Sequence, residues 1–145
     1  MSDAPLTAAA IMSWVQRHEE TCAAFYQTLA ERYPAEAKRF GGYAQDSTKY
    51  QQSITRTYQE TVTDALETNF GFEGVVLVEP DLSLAQDASL AQAATLALDL
   101  EQQTIALYGQ IAEAAESLLA TIPGAFRRVV RRRQKRLPEL KTLAS

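Results

Sequence analysis

The chain has 145 residues, 46% of them hydrophobic, and 14 Lys and Arg against 18 Asp and Glu give a net charge of −4. That length suits one domain with its own core, and the Ala and Gln usage leans helical. No apolar run nears the roughly 20 residues that span a bilayer; no basic-then-apolar leader opens the chain, and the lone Cys22 excludes an internal disulfide, so a cytoplasmic protein with a buried thiol is expected.

Thr7 is placed to cap a first helix over about 8–33, whose core stripe is Ile11, Val15, Cys22, Phe25 and Leu29. Trp14, His18 and Glu19 flank that stripe, and Pro34 should stop the helix at Tyr33. A second helix over about 35–68 follows from Phe40, Tyr43, Ala44, Ser47, Tyr50, Ile54, Tyr58, Val62 and Leu66, with an irregularity expected at Gly41-Gly42. Residues 69–87 hold Gly71, Gly74 and Pro80 and read as a long crossover. Within it Val75–Val78 could be a small strand, but the run has no partner and is expected to be simply extended. Asp87 or Ser89 caps a third helix over about 88–119, with Leu90, Ala94, Ala97, Leu98, Glu101, Ile105, Tyr108, Ile111 and Leu118 on one face. Pro123-Gly124 is expected to separate it from a fourth helix over about 123–143, cut or bent at Pro138.

Charge is unevenly placed. Residues 1–126 carry 17 acidic and 6 basic side chains, whereas residues 127–145 carry 8 basic and 1 acidic. Arg127, Arg128, Arg131, Arg132, Arg133, Lys135 and Arg136 fall within ten positions, and all but Arg133 and Arg136 are anion-binding candidates. They suit an acidic protein or another polyanion, or else form a solvated face balanced by the acidic remainder. Nucleic acid is disfavoured by the net negative charge and by the absence of aromatics in the run. No Gly-rich phosphate loop, Ser/His/Asp arrangement or zinc-type spacing is present.

The first and third helices echo each other at a separation of about 80 residues. Glu19 precedes Tyr26 by seven positions, and Glu101 precedes Tyr108 by seven, so each pair shares one helical face. Two hairpins of this kind joined by a long crossover resemble the ferritin-like superfamily, in its rubrerythrin-like branch. The resemblance covers roughly residues 10–140 and implies an all-α four-helix bundle, with a homodimer as its usual assembly. It also implies two iron or manganese ions, held by one glutamate on each of two helices and a Glu-x-x-His pair on each of the others. Glu19 and Glu101 occupy the single-glutamate positions, but the paired positions fall on Ser47/Tyr50 and Arg133/Arg136, which carry no ligand of that type. His18 lies about 100° around the helix from Glu19 and has no partner histidine.

The departure suggests a metal-free core. Two buried carboxylates need compensation, and an arginine fork suits carboxylate geometry. Arg133, or Arg136, is expected to pair with Glu19 and Glu101, with Tyr26, Tyr50 and Tyr108 closing the network by hydrogen bonds and Ser47 beside it. The expected role is a non-catalytic structural or binding module without a cofactor. The alternative is an oxidoreductase or oxidant sensor holding iron or manganese at Glu19 and Glu101, and a second is polyanion or nucleic-acid binding through the basic helix over residues 127–136.

Overall fold

The computed structural model describes residues 6–61, 71–72, 74–116 and 121–145. Helix α1 (Ala8–Arg32) begins at Thr7, whose hydroxyl accepts a 3.1 Å hydrogen bond from the Ala10 amide. It ends at Tyr33, held at φ −126° and ψ 76°, because the ring of Pro34 crowds a helical residue before it. Pro34–Glu36 forms one 3-10 turn leading into α2 (Ala37–Thr61). The expected irregularity at Gly41-Gly42 is absent: α2 is continuous through both glycines, because its buried face holds the backbone helical where local propensity is weak.

Helix α3 (Leu90–Ala114) starts with a reciprocal cap, in which Ser89 Oγ accepts from the Gln92 amide and Gln92 Oε1 accepts from the Ser89 amide. Helix α4 (Thr121–Gln134) contains Pro123 and Gly124, which therefore do not separate two helices as expected. A proline in the first turn costs little, since amides there have no acceptor within the helix. The expected helix over 123–143 is instead two. Lys135 interrupts it before α5 (Arg136–Ala144), since Pro138 lacks an amide proton and its ring would meet the carbonyl of Gln134. Positions Val62, Leu66 and Leu118, and the expected helix ends at 62–68 and 117–119, lie outside the described residues.

Among the described residues the architecture is all-α apart from one two-residue antiparallel ladder, β1 (Leu6–Thr7) against β2 (Gly71–Phe72), and Phe72 is buried in the core. Val75–Val78 forms no helix or strand and pairs with no described strand, and Val76 and Val78 face outward at 69% and 47% exposure. Helix α1 packs along α2, and α3 along α4 and α5, with α2 also touching α4. Across the interior the partners of α1 descend along α3: His18 meets Thr104, Tyr26 meets Glu101, and Tyr33 meets Ala88. Helices α1 and α3 are therefore antiparallel, and the crossover joins α2 to a helix running the same way. Arg32 pins it, donating 2.7 Å hydrogen bonds to the carbonyls of Ala85 and Gln86.

Two apolar clusters fill the bundle. One gathers Ile11, Trp14, Val15, Ile54, Ile111 and Phe126; the other gathers Cys22, Leu29, Phe40, Ala97, Leu100 and Leu140. On α1, α2 and α3 buried polar residues separate the clusters (Glu19; Ser47; Glu101 and Thr104), and Arg133 and Arg136 lie between the first-cluster residues of α4 and Leu140 of the second cluster on α5. Removing the α3 cap by Ser89→Ala is expected to cost about 1 kcal/mol, seen as a lowered urea midpoint at unchanged slope.

Candidate functional site

The polar belt between the clusters is built on Arg133, which has no exposed surface. Its Nη1 donates to Glu101 Oε1 at 2.8 Å and its Nη2 donates to Glu19 Oε1, so one guanidinium bridges α1 and α3. The second oxygen of each carboxylate is met by a tyrosine of the opposite helix. Tyr26 donates to Glu101 Oε2 at 2.5 Å, and Tyr108 donates to Glu19 Oε2 at 2.6 Å. Seven residues separate glutamate and tyrosine on each helix, about 10 Å along the axis, too far to bond directly. Antiparallel packing lets each tyrosine reach the other helix's glutamate instead.

Arg136 adds a second cation. Its Nη1 donates to Glu101 Oε2 at 3.0 Å, its Nη2 donates to the Tyr43 carbonyl at 3.2 Å, and Asp46 lies 3.7 Å away. Both arginines serve, where sequence spacing left open which one would. Tyr50 takes part through its ring, 5.3 Å below Arg133 and 5.3 Å from Arg136, and the hydrogen bond expected of it is not made among the described residues. Ser47 is buried in the belt but its hydroxyl meets no partner there, so it is adjacent to the network without joining it.

The asymmetry of the bonding sets the acidities. Burial raises both carboxyls, and at Glu101 two arginines and Tyr26 overcome it, holding the group below the usual carboxylate range. Glu19 faces the same burial with one arginine and Tyr108, next to the Glu101 charge, and stays raised. Burial also pushes the Cys22 thiol up to about 12, which makes it an inert core residue.

His18 lies inside the bundle. It stacks on Trp14 with ring centroids 4.5 Å apart, and its Nε2 is 2.8 Å from Thr104 Oγ1. Because the Thr104 hydroxyl donates to the Leu100 carbonyl at 2.8 Å, Nε2 must donate to Thr104, which assigns the neutral Nε2–H tautomer. Burial and the nearby Arg133 lower its pKa to about 3 against a smaller opposing pull from Glu101.

Sequence spacing missed an outer ring of partners. Tyr43 donates to Glu139, which also pairs with Arg39 at 3.1 Å, so the belt continues to the surface between α2 and α5. The signal was weak, because Glu139 follows Pro138 and only the break at Lys135 fixes its direction. Of the anion-binding candidates, Arg127 pairs with Glu116 at 2.9 Å, while Arg128, Arg131, Arg132 and Lys135 lie on the exposed side.

No group of three His, Cys, Asp or Glu able to hold a metal occurs among the described residues. Glu19 and Glu101 have all four oxygens engaged by arginine or tyrosine donors, and two positive charges occupy their coordination side. That donor set does not fit a dinuclear iron or manganese centre. Comparison with protein-family models, curated proteins and solved structures gives no match.

Replacing Arg133 by Met strands two buried carboxylates, and the expected loss is about 3–5 kcal/mol in chemical unfolding; an unchanged unfolding curve would contradict the bridge. The His18 imidazole takes up its proton near pH 6.5 in the unfolded chain but only near 3 when folded. Its contribution to stability is therefore complete above pH 6.5 and is lost as pH falls toward 3, at about 1.4 kcal/mol per unit. His18→Gln is expected to flatten the stability profile between pH 6 and 5, measured by chemical unfolding at stepped pH.

Proposed function

We propose that this chain is a ferritin-like bundle of the rubrerythrin-like kind in which a Glu/Arg/Tyr network replaces the di-metal centre, and that it acts as a non-catalytic structural or binding module. The observation that carries the reading is the Arg133 bridge between Glu19 and Glu101. In the resemblance these two glutamates face metal from two helices, and the arginines stand where a Glu-x-x-His pair would complete the site. A fixed cation satisfies the same pair of carboxylates that a metal would, without open coordination positions or redox chemistry. Two further features favour a module without catalysis. The belt's carboxylates are hydrogen-bonded on every oxygen, and the titratable groups beside them, Cys22 and His18, are held neutral by burial. The reading includes self-association as a homodimer, to be scored by sedimentation equilibrium.

Iron, manganese and zinc analysis of untagged protein is the test. The expected result is substoichiometric metal after iron supplementation. Stoichiometric metal that disappears on Glu101→Ala would overturn the reading in favour of an oxidoreductase or oxidant sensor. The reciprocal experiment restores both pairs with Ser47→Glu, Tyr50→His, Arg133→Glu and Arg136→His, and this quadruple variant is expected to take up about two equivalents of iron or manganese.

A further inference from the structure

A cleft of about 360 Å³ lies between α2 and the α4–α5 junction, within the size range of small-molecule sites. Tyr50 and the Arg136 guanidinium line it, together with Asp46, Arg132, Lys135 and Glu139. Most of its charges are already matched. Arg136 is held by Glu101 and Asp46, and Glu139 is held by Tyr43 and Arg39. Arg132 and Lys135 form no ion pair among the described residues, and the Tyr50 hydroxyl makes no hydrogen bond there. Two uncommitted cations, one of them a planar fork, and a neutral hydroxyl therefore converge on one concave surface.

We propose that this cleft binds a small phosphate monoester carrying hydroxyl groups. Arg132 and Lys135 take the phosphate oxygens, where two cations match the charge of a phosphate dianion and the guanidinium adds directed hydrogen bonds. Asp46 is placed to accept from a ligand hydroxyl, and Tyr50 supplies a further donor. Asp46 and Glu139 also repel a second phosphate on either side, which disfavours an extended polyanion in this cleft. Arg132 and Lys135 are three residues apart at the α4–α5 junction, where Lys135 keeps helical dihedrals (φ −68°, ψ −21°), so they sit side by side on one face. The proposal deepens the binding-module reading and rests on it, yet the two fail separately, because metal content reports on the interior and ligand titration on the cleft.

Calorimetric titration at low ionic strength with glycerol 3-phosphate, inorganic phosphate, succinate and a single-stranded oligonucleotide tests the site. Both phosphate compounds are expected to bind, glycerol 3-phosphate more tightly. Arg132→Gln and Lys135→Gln are each expected to weaken binding about tenfold, as loss of a charge-assisted hydrogen bond does. Arg128→Gln, outside the cleft, is expected to leave affinity unchanged, and all three exposed variants should keep the parent melting temperature. Absence of binding by both phosphates, equal loss on Arg128→Gln, or equally tight binding of succinate would overturn the proposal. So would an oligonucleotide that binds more tightly than glycerol 3-phosphate, since that would assign these cations to an extended polyanion.

Discussion

One guanidinium holds the centre of this bundle together. Arg133 is among the largest fully buried side chains of the described residues, and it is bonded to a carboxylate on each of two antiparallel helices. Taking such charges out of water costs several kcal/mol per ion, and attraction offsets that only when the remaining lone pairs and protons are also satisfied. Here both oxygens of each glutamate are occupied, while the buried Nε–H of Arg133 meets no partner among the described residues. The arrangement adds little net stability over an apolar core of equal volume. What it fixes is register: a shift of one turn, about 5 Å, would break every bond in the belt at once. The two apolar clusters on either side tolerate sliding far better, because contacts between alkyl groups have no direction.

The crossed tyrosines carry the same lesson. Tyr26 and Tyr108 each serve the glutamate of the other helix, so the internal echo in the sequence becomes a pseudo-symmetric pair in space. Arg136 breaks that symmetry by joining Glu101 alone, and the two carboxyls are pulled apart in acidity as a result. Such splitting accompanies acid–base catalysis in many active sites, but here both groups are sealed from solvent and fully bonded.

The basic run near the C-terminus does two jobs because a helix has two faces. Arg133 and Arg136 turn inward and neutralise the buried glutamates, while Arg128, Arg131, Arg132 and Lys135 remain outside. The uneven charge of the chain is thus partly an internal match between an acidic first part and a basic last helix pair. Arg132 and Lys135 line a cleft beside α2 that Arg136 also reaches from the belt.

The starts of α1 and α3, the Thr7 cap, the stop at Tyr33 and the candidacy of Glu19, Glu101, Tyr26, Tyr108, Arg133 and Arg136 were legible in the sequence. Periodicity, capping chemistry and the cost of burying a charge are local or nearest-neighbour matters, and residue spacing encodes them. The continuity of α2 through Gly41-Gly42, the inclusion of Pro123 in α4 and the split at Lys135 were not legible, because packing decides whether a weak helical residue stays helical. Nor was the choice between the arginines, the crossing of the tyrosines, or the outer link from Tyr43 to Glu139. Those depend on which helices lie opposite each other and in which direction they run. The sequence by itself placed two glutamates on matching helical faces and required cations to accompany them if they are buried; their burial is set by the tertiary packing. Only the tertiary structure decided which donors meet which oxygens, because hydrogen bonds are made across distances that one helix cannot span alone.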